Sequence, residues 1–189
     1  DPRIDEIKKK RKIKKDYALI FDVKEEEVAL SQEEWKQNPN KFKILDSDLY
    51  LRHLVKPNGL VLPHHISGSL FLDELYEADD LVFPQSVGGN LFLDNLTSAE
   101  GLVLPQSVGG YLDIHNLDSA ESLVLPQNIG GSLNLSGLTS ANGLVLPYGF
   151  NLNKLICPSY IKNEILQNPD KYFRKPPSEE ENISIHHKR

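Results

Sequence analysis

Leu60-Val61-Leu62-Pro63, Leu81-Val82-Phe83-Pro84, Leu102-Val103-Leu104-Pro105, Leu123-Val124-Leu125-Pro126 and Leu144-Val145-Leu146-Pro147 are one motif returning every 21 residues. A second motif keeps step with it. Leu49-Tyr50-Leu51-Arg52-His53-Leu54 recurs, with changes between its leucines, at residues 70–75, 91–96, 112–117 and 133–138. Self-similarity at such a period marks a solenoid, in which a coil that cannot bury its apolar face alone buries it on the next.

Which columns stay apolar tells which side chains point inward. Those equivalent to Leu81, Phe83, Val87, Leu91, Leu93, Leu96 and Ala99 remain aliphatic, small or aromatic through the repeats. Each Leu-x-Leu unit has the period of two of a strand. Pro at the end of the first unit stops that strand, because it has no N–H to donate to a neighbouring coil. The Gly88-Gly89 and Gly109-Gly110 pairs are expected to be corners, where positive φ costs glycine little. The fold class that follows is mainly β: a short parallel β-solenoid of about five coils, with helical caps at both ends.

The ends of the stack carry helix signals. Ser31-Gln32-Glu33-Glu34 is a capping box, and the helix it opens should end at Asn38-Pro39. Past Pro147 the repeat degrades, and Pro158 to Gln167 reads as an amphipathic helix ended by Asn168-Pro169. The organisation expected is a charged flank with a capping helix at 1–48, the solenoid at 49–156, a helical cap at 157–175 and a tail or linker at 176–189.

The Leu-x-Leu-x-x-Leu unit resembles bacterial leucine-rich repeats, and Leu102 to Val108 resembles the core of the BspA-like class. The resemblance covers residues 49–156 and implies a protein-recognition module of a larger bacterial protein, including a secreted, host-directed effector. Leucines 54, 75, 96, 117 and 138 stand where that family carries its asparagine ladder. A three-sided parallel β-helix is the alternative architecture.

Composition points to a soluble chain in a reducing compartment, cytoplasmic or delivered to host cytosol. A single cysteine, Cys157, excludes an internal disulfide framework and reads as a small buried hydrophobe. No run approaches the roughly 20 apolar residues of a membrane span. The chain has no methionine and reads as part of something longer.

Charge is unevenly spread. Residues 49–156 hold three basic and ten acidic side chains, a balance of −7, whereas residues 1–48 hold twelve of each. Within that flank Lys8-Lys9-Lys10-Arg11-Lys12-Ile13-Lys14-Lys15 is a dense basic run. It suits nucleic acid or an import signal, although a solvated linker or helix face is the plainer reading. Nucleic acid is not the expected partner.

No catalytic constellation stands out, and no cofactor or metal site is expected. Asp73 and Asp94 share a column, as acids do in carbohydrate-active β-helices, but the same column holds Arg52 and His115. His53, His64 and His65 fall in other columns and do not converge. The Gly-Gly pairs lack the Lys-Ser/Thr of a phosphate loop.

The columns that packing does not need carry the functional reading. An outward column runs Tyr50, Phe71, Phe92, Asp113, Asn134, flanked by Arg52, Asp73, Asp94 and His115. Aromatic centre and polar rim together suit recognition of another protein or another domain. Stacking that merely stabilises the sheet is the plainer alternative. Val61, Val82, Val103, Val124 and Val145 should form an outward apolar ladder, an interface that some further surface covers. The rivals are a structural spacer, an acidic nucleic-acid mimic and a carbohydrate-active enzyme.

Overall fold

The computed structural model describes residues 2–21, 23–38, 41–57, 60–79 and 81–176. The expected tail at 176–189 lies outside them except for Pro176. Among the described residues, twelve strands of two residues each build the coils. They are β1 (Val28–Ala29), β2 (Ile44–Leu45), β3 (Leu49–Tyr50), β4 (His65–Ile66), β5 (Leu70–Phe71) and β6 (Ser86–Val87), followed by β7 (Leu91–Phe92), β8 (Ser107–Val108), β9 (Leu112–Asp113), β10 (Asn128–Ile129), β11 (Leu133–Asn134) and β12 (Leu155–Ile156).

These strands form two six-stranded parallel sheets, ordered β1-β2-β4-β6-β8-β10 and β3-β5-β7-β9-β11-β12. The register is the repeat itself: Leu70 pairs with Leu91, Leu91 with Leu112, and Leu112 with Leu133. The first sheet reaches back to Val28, so part of residues 1–48 extends the ladder. The chain is a parallel β-solenoid of 21-residue coils, as the period predicts.

A third side carries the Leu-Val-Leu-Pro motif. It holds extended chain with isolated bridges at Val61–Val82 and Leu146–Phe173. Along it the two leucines of each motif, or Leu81 and Phe83, flank an exposed valine; most of these flanking residues are buried. The core is therefore a stack of aliphatic layers between three walls. The inward columns named from the sequence are buried, with Leu51, Leu54 and Leu60 at the first coil only partly so.

The glycine pairs need a correction. Among the described glycines, those with positive φ are Gly101, Gly143 and Gly149, not Gly88, Gly89, Gly109 or Gly110. The pairs are there for closeness. A Cβ on Gly109 would stand 2.1 Å from the carbonyl oxygen of Gly88, one coil below. The N–H of Gly109 donates to Val87 O and that of Gly110 to Gly89 O, both at 2.8 Å, so backbone rungs continue around the corner.

Both ends are capped by helices. Helix α1 (Pro2–Phe21) precedes a short turn at 25–27, and α2 (Gln32–Gln37) follows it. Ser31 Oγ accepts from Glu34 N at 3.1 Å, as the capping box predicts, while Glu34 Oε2 takes the N–H of Leu30 at 2.9 Å. Gln32 Oε1 accepts the N–H of Tyr50, on the edge strand β3. At the other end α3 (Ser159–Gln167) buries Ile161 and Ile165, and α4 (Pro169–Tyr172) buries Tyr172. Leu146 N donates to Tyr172 O at 2.7 Å and Arg174 N to Leu146 O at 2.9 Å, which ties the cap to the third side. Cys157 is half-buried at this cap, and burial pushes its thiol up from the ordinary range, away from nucleophile chemistry.

Candidate functional site

Alternation along the second sheet turns one column of side chains outward, and parallel register stacks it coil upon coil. The rings of Tyr50 and Phe71 stack with centroids 4.5 Å apart and planes 10° from parallel; Phe71 and Phe92 do so at 4.9 Å and 14°. Phe92 then meets Tyr111, tilted by 59° at 6.0 Å. Tyr111 was not singled out in the sequence, yet it lies two residues before Asp113 and so on the same face. That offset was the available signal.

Arg52 closes the N-terminal end of this stack. Its Cζ lies 4.8 Å from the Phe71 centroid and 5.5 Å from that of Tyr50, a cation over both rings. Its Nε is 3.5 Å from Asp73 Oδ2. Tyr50 Oη donates to Asp48 Oδ2 at 3.0 Å, a bond that holds the phenol pKa above its ordinary value. The resulting surface is aromatic edge beside the row Arg52, Asp73, Asp94 and His115.

Asp113 differs from expectation. Its column faces outward, but its residue exposure is only 9%, so it is a buried acid rather than an open rim. Its Oδ1 accepts from His115 N at 3.2 Å and lies 2.9 Å from His115 Nδ1. The turn after β9 folds His115 back over the carboxylate, and Tyr111 packs nearby. Asp94, Asp113 and His115 each bring one oxygen or nitrogen to within 4.8 Å of the others. His53, one column over, instead sits 3.4 Å from Glu74 Oε1, and His65 meets Ser86 Oγ at 2.8 Å.

Asp94 is the strained member of the row. Its Oδ1 and the Oδ2 of Asp73 are shut from solvent without a hydrogen-bond partner. Burial, and then the charges of Asp113 and Asp73, hold the Asp94 carboxyl above its ordinary range. An acid with a raised folded pKa costs stability above that pKa, and the cost vanishes below the unfolded value. Asp94→Asn is therefore expected to raise the melting temperature at neutral pH, with the gain fading as pH falls into the ordinary aspartate range. A gain that stays constant across pH would assign the effect to something other than charge.

The five valines stand on the third side. Their exposure runs from 40% at Val145 to 75% at Val82, and none of the described helices lies over them. Val103 and Val124 border a shallow groove with Pro105, Pro126 and Arg174, whose Nη2 donates to Leu125 O at 2.6 Å.

Fold and surface together define a parallel β-solenoid repeat protein with two ordered outer columns, one aromatic and charged, one purely aliphatic. Comparison of the chain with family models, with curated proteins and with solved structures returned no match. No helix among the described residues is long and apolar enough to cross a membrane.

Proposed function

We propose that the solenoid is a protein-recognition module that engages its partner through the face of Tyr50, Phe71, Phe92, Arg52, Asp73, Asp94 and His115, with Asp113 buried against His115 as its support. On this reading it is a leucine-rich-repeat-type module, related to the BspA-like class, within a larger bacterial protein that acts in a host-directed role. One observation carries it: three stacked, partly exposed rings with a guanidinium over them, on a wall whose inner side already supplies the packing. Aromatic and Arg side chains that are exposed and held in place are the residue types that dominate protein interfaces.

The same geometry disfavours the rivals. The rings cover one another face to face, which leaves their edges rather than an open face for a sugar to stack on. The acids do not mimic a phosphate row, because Asp73 and Asp94 stand between Arg52 and His115 in their column, and Asp113, in the next column, is buried. Hydrolysis of the kind two carboxylates perform calls for groups poised on either side of a scissile bond, whereas Asp73 and Asp94 occupy the same turn of successive coils and so lie in one row.

Phe71→Ala/Phe92→Ala is expected to leave the fold intact and to weaken each specific protein partner by more than about 1 kcal/mol per ring. Partners are to be identified by pull-down from bacterial and host lysates and then quantified by titration. A well-folded double variant that keeps every partner at full affinity removes this face as the binding site. A wild-type chain with no specific protein partner favours the spacer instead.

A further inference from the structure

The first turns of α1 are a helix that its own chain leaves unsupported. Residues 2–12 are exposed along their whole length, and partly buried positions begin at Ile13 and Lys14. Lys14 Nζ reaches Glu34 Oε1 at 2.7 Å. A helical segment of about eleven residues is marginal in water without a surface to pack on.

Its residues specify that surface. Ile4 and Ile7 are 51% and 53% exposed and lie three apart, on one face. Lys8 and Arg11 continue that face one turn further on, and Lys12 and Lys15 one turn beyond those. Lys10 pairs with Glu6 and Lys14 with Glu34, but Lys8, Lys9, Arg11, Lys12 and Lys15 have no carboxylate partner among the described residues. The stripe is aliphatic at its start and cationic thereafter.

The solenoid carries the complement. The valine ladder is an open aliphatic floor of five rungs, about 19 Å long at the ~4.8 Å spacing of parallel strands. Along one edge run Asp79, Glu100 and Glu121, each exposed and three residues ahead of its valine. Gly101, at that corner, leaves room for the Asp79 carboxylate, whose Oδ1 would lie 2.5 Å from a Cβ there. Residues 2–15 of α1 span about 21 Å as helix, the length of the ladder. The opposite edge is neutral, formed by Gln85, Gln106 and Gln127.

We propose that this chain self-associates: residues 2–15 of one copy lie along the valine ladder of a second copy. Ile4 and Ile7 rest on the valines, and Lys8, Arg11, Lys12 and Lys15 meet Asp79, Glu100 and Glu121. Reciprocal exchange closes a dimer, and one-way exchange extends a chain of copies through the same two surfaces. A nucleic acid is the poorer occupant for the basic stripe, since the −7 balance of the adjoining solenoid repels phosphate while attracting the stripe of another copy. The surface is distinct from the aromatic face.

Sedimentation velocity on the whole chain, from micromolar to near-millimolar, tests this. Association is expected to rise with concentration and to weaken by about ten-fold or more at high salt, in Ile4→Glu/Ile7→Glu and in Val103→Asp/Val124→Asp. Circular dichroism on each variant reports whether the exposed substitutions leave the fold unchanged. Charge exchange supplies the decisive arm. Glu100→Lys/Glu121→Lys should lose association by a similar factor, and adding Lys8→Glu/Arg11→Glu/Lys12→Glu to the same chain should restore it. A monomer at every concentration overturns the proposal, as does association indifferent to both sets of substitutions. Binding of α1 to duplex DNA or to anionic vesicles by a chain that stays monomeric overturns it equally and assigns the stripe to that partner.

Discussion

Truncating Leu93 or Ile114 to Ala is expected to destabilise the chain by about 2–5 kcal/mol. Both side chains are fully buried and occupy the same inward column on successive coils. The cavity left behind has little means of closing. Coils on either side are pinned by rungs such as Leu93 N to Asp113 O at 2.9 Å and Ile114 N to Asn134 O at 3.2 Å, so the wall cannot collapse inward without breaking its own ladder. The loss is also shared, because in a stack each layer supports only its neighbours, and a weakened interface uncouples the coils on its two sides. For a chain of this size the shift in melting temperature comes to about 4–20 °C. Urea unfolding of the two variants checks it, and midpoints indistinguishable from the parent would show that the column does not face the core.

Gly109→Ala is expected to cost about 3 kcal/mol or more, through overpacking and the loss of cross-coil hydrogen bonds. The added carbon would meet the Gly88 carbonyl oxygen at 2.1 Å and its carbonyl carbon at 3.0 Å. Those atoms are backbone and cannot swing aside as a side-chain end can. The coils must part, and the rungs from Gly109 to Val87 and from Gly110 to Gly89 lengthen with them. Gly149 makes the control. It has φ +70° and nothing within 4 Å of a prospective Cβ, so Gly149→Ala carries only the left-handed backbone penalty of about 1–2 kcal/mol. If the two substitutions cost the same, backbone crowding is not why the pairs are glycine.

The Gly109-Gly110 pair shows where the repeat pattern stops being informative. The pair recurs in the repeat, and a turn conformation is the usual reason for such a pair; the structure instead assigns it to contact between residues 21 apart. Asp113 has the same lesson. Its column is outward by alternation, as predicted, yet burial depends on His115 and Tyr111 closing over it, which alternation does not encode. Alternation puts Tyr111 on the face of Asp113, but its tilted contact with Phe92 from a neighbouring column is visible only in the tertiary structure. The helical caps were readable because capping boxes and prolines act locally on the backbone.

By itself the sequence determined the coil length, the inward columns, the outward valines and the helical ends, because a fixed period forces equivalent residues into register and parallel pairing then places them in rows. Tertiary structure alone decided how closely the corners approach, which outward acids are buried, and that the first turns of α1 stand clear of the solenoid they match in charge. The division has one physical cause. Periodicity constrains direction along a strand, whereas distance and burial are settled only when each coil closes on the next.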